Sequence, residues 1–162
     1  MNVEFIPAFY AAFSDETAIA EIRPIIGDRI AIGKFAVCKP IKVFDFTAFS
    51  RPSRLNTIDV YSHTRYDFIS QMEDEISKPI LPYEKSREYI PTQIVAEYLR
   101  EHFGCEGVIF RSSMHKGHDV ENRNIVIFSP SEDSFDQLIE LKDHSARKVS
   151  NVIFQTYDEN VF

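Results

Sequence analysis

Residues 89–113 read YIPTQIVAEYLREHFGCEGVIFRSS, and this stretch decides the fold class. Pro91 suits a helix start, because the N–H it lacks is one that the first helical turn leaves unpaired anyway. Ile94, Val95, Tyr98 and Leu99 then recur at helical spacing, and Gly104 is a good C-terminal cap. The pattern predicts a helix from Pro91 to about Phe103. Gly107-Val108-Ile109-Phe110-Arg111 follows as a short strand ending in Ser112 and Ser113.

Toward the C-terminus, a polar, glycine-containing loop is expected from Met114 to Arg123, then a strand, NIVIF, over Asn124–Phe128, bounded by Ser129–Pro130. A charged stretch from Glu140 to Lys148 precedes an expected last apolar strand, Val149 to about Phe154. Toward the N-terminus, Lys78–Pro79, Leu81–Pro82 and Glu84–Lys85 read as an irregular connection, and Ile58–Ile76 as a ragged helical pattern with a helix in its second half. Phe46–Thr57 reads as a loop carrying Arg51 and Arg54, and Ile30–Val37 and Ile41–Phe46 as strands. Ser14 is placed to cap a short helix, with Asp15 and Glu16 in its first turn and Pro24 as its stop. Phe5–Phe13 is apolar, and its Pro7 argues for an edge strand. Several strands among few helices predict a compact α+β mixed domain.

The chain has 162 residues, enough to bury a core without disulfide staples. Eighteen basic against 25 acidic side chains give a formal charge of −7, which argues against a general nucleic-acid-backbone binder. The longest uncharged run is Phe5–Ser14, far short of the roughly 20 apolar residues of a membrane span, and no secretory leader pattern is present. Cys38 and Cys105 lie in apolar sequence without a CxxC partner, and are expected to be reduced and buried in a cytoplasmic protein. None of the five glycines forms a GxGxxG or GxxxxGK fingerprint. His115 and His118 lack a third ligand nearby, so no metal site is expected.

Several residues could carry chemistry. Glu21 falls in an apolar stretch, AIAEIRP, and a buried carboxylate there needs a partner. It could pair with an arginine, or stabilise positive charge on a ribose as a glycosidic bond breaks. Tyr10 could stack on a planar ring or fill the core. Arg23, Arg111 and Arg123 could group around phosphate, or serve singly as salt-bridge partners. Ser112 and Ser113 lack a GxSxG turn and suit hydrogen-bond donation to a substrate or a strand-end cap.

Taken together, these segments resemble a known family. FYAAFSDETAIAEIRP, residues 9–24, resembles the opening motif of the RES domain; residues 89–113 resemble its second motif; and HDVENRNIVIF, residues 118–128, its closing element. The domain is named for an arginine, a glutamate and a serine. The resemblance implies a single domain over residues 1–162 with a central split antiparallel/mixed sheet similar to that of ADP-ribosyltransferases. It implies the toxin half of a bacterial toxin–antitoxin pair, inhibiting growth, whose partner is an antitoxin with a helix-turn-helix-like region. It also implies NAD as substrate, cleaved at the nicotinamide–ribose bond, with inorganic phosphate or water as acceptor and no cofactor. By resemblance Glu21 matches the family's glutamate, Tyr10 the tyrosine of its first motif, Arg23 the arginine after the glutamate, and Ser112 or Ser113 its serine; Glu21 and Ser112 are then expected to be catalytic, and Tyr10, Arg23, Ser113 and Arg123 to bind substrate. Two alternatives stay open: a non-catalytic module that binds a cognate antitoxin, and a protein ADP-ribosyltransferase. The sequence departs from the family at one point, since no arginine precedes Arg23. The expectation is either that the family's arginine lies upstream of Met1 in a longer reading frame, or that the copy is shortened or inactive.

Overall fold

The computed structural model describes residues 7–49, 60–77, 89–114, 120–128 and 135–152. Its strands are β1 (Ala8–Ala12), β2 (Arg29–Val37), β3 (Val43–Asp45), β4 (Gly107–Arg111), β5 (Arg123–Phe128) and β6 (Ile139–Lys148). Its α-helices are α1 (Asp15–Glu21), α2 (Val60–Ser77) and α3 (Tyr89–Phe103). They form a mixed α+β domain with a four-stranded sheet in the order β1-β5-β4-β3 and a separate β2-β6 ribbon. The expected split, mixed sheet is present: β4 runs antiparallel to β5 and parallel to β3.

The central strand explains its own composition. Val108 and Phe110 face the helices, and Ile109 faces the other way beside its cross-strand partner Ile125. A strand covered on both faces is apolar at successive positions rather than alternate ones. One face packs with Phe46, Val126 and Phe128 of the sheet side against Ile76 of α2 and Ala96 and Leu99 of α3. At Gly107 a Cβ would lie 2.5 Å from the carbonyl oxygen of Val126, so the strands approach too closely there for a side chain.

α3 begins two residues before Pro91 and ends where expected. Gly104, at φ 61°, turns the chain while its N–H donates to the Arg100 carbonyl. The helical stripe is narrower than its sequence suggests: Val95, Ala96 and Leu99 face the core, while Ile94 and Tyr98 are exposed. Tyr98 instead stacks on His102, one turn along.

Four expectations need correction. The helix expected in the second half of residues 58–76 fills Val60–Ser77. Ile41–Phe46 shortens to the three residues of β3, because Phe46–Ala48 turns into a 3-10 helix capped by Asp45. The last strand is the charged stretch Ile139–Lys148, whereas residues 149–152 form no strand and 153–154 lie outside the described residues. Among the described residues β6 pairs only with β2, which supplies the buried Ile30 and Ile32, so β6 can be polar and still complete the ladder. Cys38 is exposed rather than buried, because it follows the ribbon's edge; Cys105 is buried, and both are free. Arg51, Arg54, the connection at 78–88, and His115 and His118 lie outside the described residues. Among the described residues, no helix is long and apolar enough to cross a membrane.

Candidate active site

Glu21 is the last residue of α1, a helix of seven residues that is too short to hold its place by propensity alone. Tertiary contacts clamp it. Ser14 caps its first turn by accepting the Thr17 N–H at 3.2 Å. The hydroxyls of Ser14 and Thr17 each lie 3.0 Å from the Glu121 carbonyl oxygen, just before β5. Asp15 pairs with Arg147 of β6, which ties the same turn to the ribbon. Beyond Glu21, Ile22 closes the helix and Arg23 adopts a left-handed φ of 48° ahead of Pro24.

This places the Glu21 carboxylate over the ends of β4 and β5. Its Oε1 accepts two hydrogen bonds, from Ser112 Oγ at 2.6 Å and from Asn124 Nδ2 at 2.7 Å. Both donors are buried, at 6% and 4% exposure, so they are held rigidly. Ser112 Oγ also accepts the Met114 N–H at 3.2 Å, and the Ser112 N–H donates to the Asn122 carbonyl. Among the described residues, Oε2 of Glu21 has no hydrogen-bond partner.

Of the two readings left open for Glu21, pairing with an arginine does not hold among the described residues, and the carboxylate is not buried. The residue is exposed, and neutral donors rather than a guanidinium grip one of its oxygens. Hydroxyl and amide donors leave the negative charge uncompensated and available to a bound group, whereas an ion pair would neutralise it.

The carboxylate borders a cleft of about 640 Å³ that runs along β1, the edge strand of the four-stranded sheet. Phe9, Tyr10 and Phe13 contribute from β1 and its end, Ile30 and Ile32 from the ribbon, and Glu21 and Asn124 from the polar corner at the ends of α1 and β5. Tyr10 is 47% exposed, which removes it from the core, and it is among the residues that line the cleft.

The arginines do not gather into one cluster in the cleft. Arg111 is bonded through Nη1 to Glu73 Oε2 at 2.6 Å and through Nη2 to the Thr47 carbonyl. Arg123, its cross-strand partner, pairs with Asp45 at 3.3 Å and lies over the Phe13 ring, 4.8 Å from the centroid. Arg23 is exposed on the turn after α1 and is not one of the described cleft-lining residues. Ser113 is exposed, and it is Ser112 that reaches Glu21.

Asn124 was not singled out in the sequence. The available signal was an amide in an apolar strand, RNIVIF, in phase with the core-facing Val126 and Phe128. A buried amide at such a position must find a polar partner. Among the described residues, no group of three potential metal ligands comes together.

Searches among curated proteins and among solved structures return no match. The model of the RES domain matches residues 1–148, covering the first motif, Glu21, Ser112 and the closing strand. The chain belongs to the RES domain family.

Proposed function

We propose that this protein is a toxin of a toxin–antitoxin pair that cleaves the nicotinamide–ribose bond of NAD. The observation that carries the proposal is the Glu21 carboxylate, held through Oε1 by Ser112 and Asn124 beside a cleft bordered by Tyr10 and Phe13. Loss of nicotinamide leaves positive charge on the ribose, and a fixed anion lowers the barrier only to the extent that its attraction grows with that charge. Glu21 supplies the anion, and Oε2 is the oxygen available to the ribose. Ser112 and Asn124 act through Glu21 as positioning residues, so the carboxylate need not reorganise as the bond breaks. Tyr10 packs against the nicotinamide-ribose end.

Phosphate or water is the acceptor in this reading, and transfer to a protein side chain is the alternative within the same bond cleavage. The antitoxin is a cytoplasmic protein partner with a helix-turn-helix-like region, following the family resemblance.

Nicotinamide release from NAD by the purified protein, with and without inorganic phosphate, tests the reading. Glu21→Gln preserves shape, and its amide oxygen can still accept from Ser112 and Asn124, so the comparison isolates the charge. Turnover by the native chain that falls at least about a hundredfold in Glu21→Gln is expected, by analogy with the loss of one electrostatic stabiliser. Equal turnover by the two proteins, or none by the native one, would reject it. Phosphate dependence identifies the acceptor.

A further inference from the structure

The cleft holds a positive charge with no role in the polar corner. Ile30 and Ile32 are buried on one face of the β2–β6 ribbon, and the alternation of a strand puts Lys34 on that same face. Lys34 lines the cleft. Its cross-strand partner is Asp143, an arrangement in which opposite charges ordinarily pair. Asp143 instead turns Oδ1 onto the His144 N–H at 2.8 Å, and among the described residues Lys34 forms no ion pair. The ladder shifts register between Lys34 and Phe35, and such a bulge re-aims the side chains beside it.

The other charges are committed differently. Asp15 at the cleft is paired with Arg147, and Arg111 and Arg123 are paired with Glu73 and Asp45. Among the described cleft-lining residues, Lys34 is thus the cation open to a ligand anion, and Glu21 the carboxylate open to a ligand cation. A ligand with a cationic ring-bearing end and an anionic pyrophosphate complements both.

We propose that Lys34 binds the pyrophosphate of a dinucleotide in this cleft, with its ammonium serving as a point-charge contact. The assignment rests on the proposed NAD reading for the orientation of the ligand, but not for the existence of the anion contact.

ADP, which carries the pyrophosphate without nicotinamide, is the probe. Calorimetric titration of the full chain with ADP at low salt is expected to show binding that weakens roughly tenfold in Lys34→Gln, the loss of one charge-assisted contact. Lys34→Arg should restore most of it, and added salt should narrow the difference. In NAD turnover, Lys34→Gln should raise KM by a similar factor and leave kcat within about twofold, the signature of uniform binding. ADP affinity unchanged in Lys34→Gln, or no ADP binding to the native chain, overturns the assignment. Lys34-dependent ADP binding without NAD cleavage would uphold it while rejecting the catalytic reading. Glu21-dependent NAD cleavage with Lys34→Gln matching the native KM and ADP affinity would do the reverse.

Discussion

Replacing Asn124 by alanine removes one of the two donors on Glu21 Oε1 and leaves the other, Ser112, in place. Hydrogen bonds to charged groups contribute about 1.5–3 kcal/mol. The carboxylate is exposed, so water can partly replace a lost donor, and the lower figure of about 1.5 kcal/mol applies. At about 1.4 kcal/mol per factor of ten, Asn124→Ala should lower kcat/KM for nicotinamide release roughly tenfold. Ser112→Ala should act similarly. The double variant should lose more than the product of the single losses, because in each single variant the remaining donor still holds Oε1. The assay is initial-rate nicotinamide release at several NAD concentrations, with thermal unfolding recorded for each variant. A folded Asn124→Ala protein within twofold of the native kcat/KM would refute the claim that this amide positions the carboxylate.

Two further predictions concern stability. Glu73 is buried and bridges α2 to the end of β4, accepting the Arg111 N–H at 3.0 Å through Oε1 and the guanidinium at 2.6 Å through Oε2. Glu73→Ala strands both donors and should cost about 2–3 kcal/mol in urea unfolding, whereas Glu73→Gln keeps an acceptor for the N–H and should cost clearly less. Gly107→Ala places a Cβ 2.5 Å from the Val126 carbonyl oxygen and must push β4 from β5, for an expected loss above about 2 kcal/mol. At Gly104 a Cβ meets nothing within 4 Å, so Gly104→Ala should cost only the strain of its positive φ, on the order of 1 kcal/mol. Equal midpoints for the two glycine variants would contradict this distinction.

What could be read along the chain was whatever depends on neighbours within a turn or two. Pro91, the apolar spacing and Gly104 mark α3, and Ser14 with its acidic first turn marks α1, because caps and helical hydrogen bonds join residues a few positions apart. The same local signals set Glu21 at a helix end and Ser112 at a strand end. The family resemblance then singled them out together.

What brings them into contact lies beyond that range. Ser112 and Asn124 stand 91 and 103 residues from Glu21, and they meet it through the pairing of β5 with both β1 and β4. Strand pairing likewise made the charged 139–148 segment a strand, since a ladder needs backbone partners and β2 supplies the apolar side chains. The fates of the arginines and of Lys34 were decided in the same way. A sequence names a charge, but an ion pair forms only when the two groups come within a few ångströms, and only the folded chain determines that Glu73 and Asp45 take Arg111 and Arg123 while Lys34 lines the cleft.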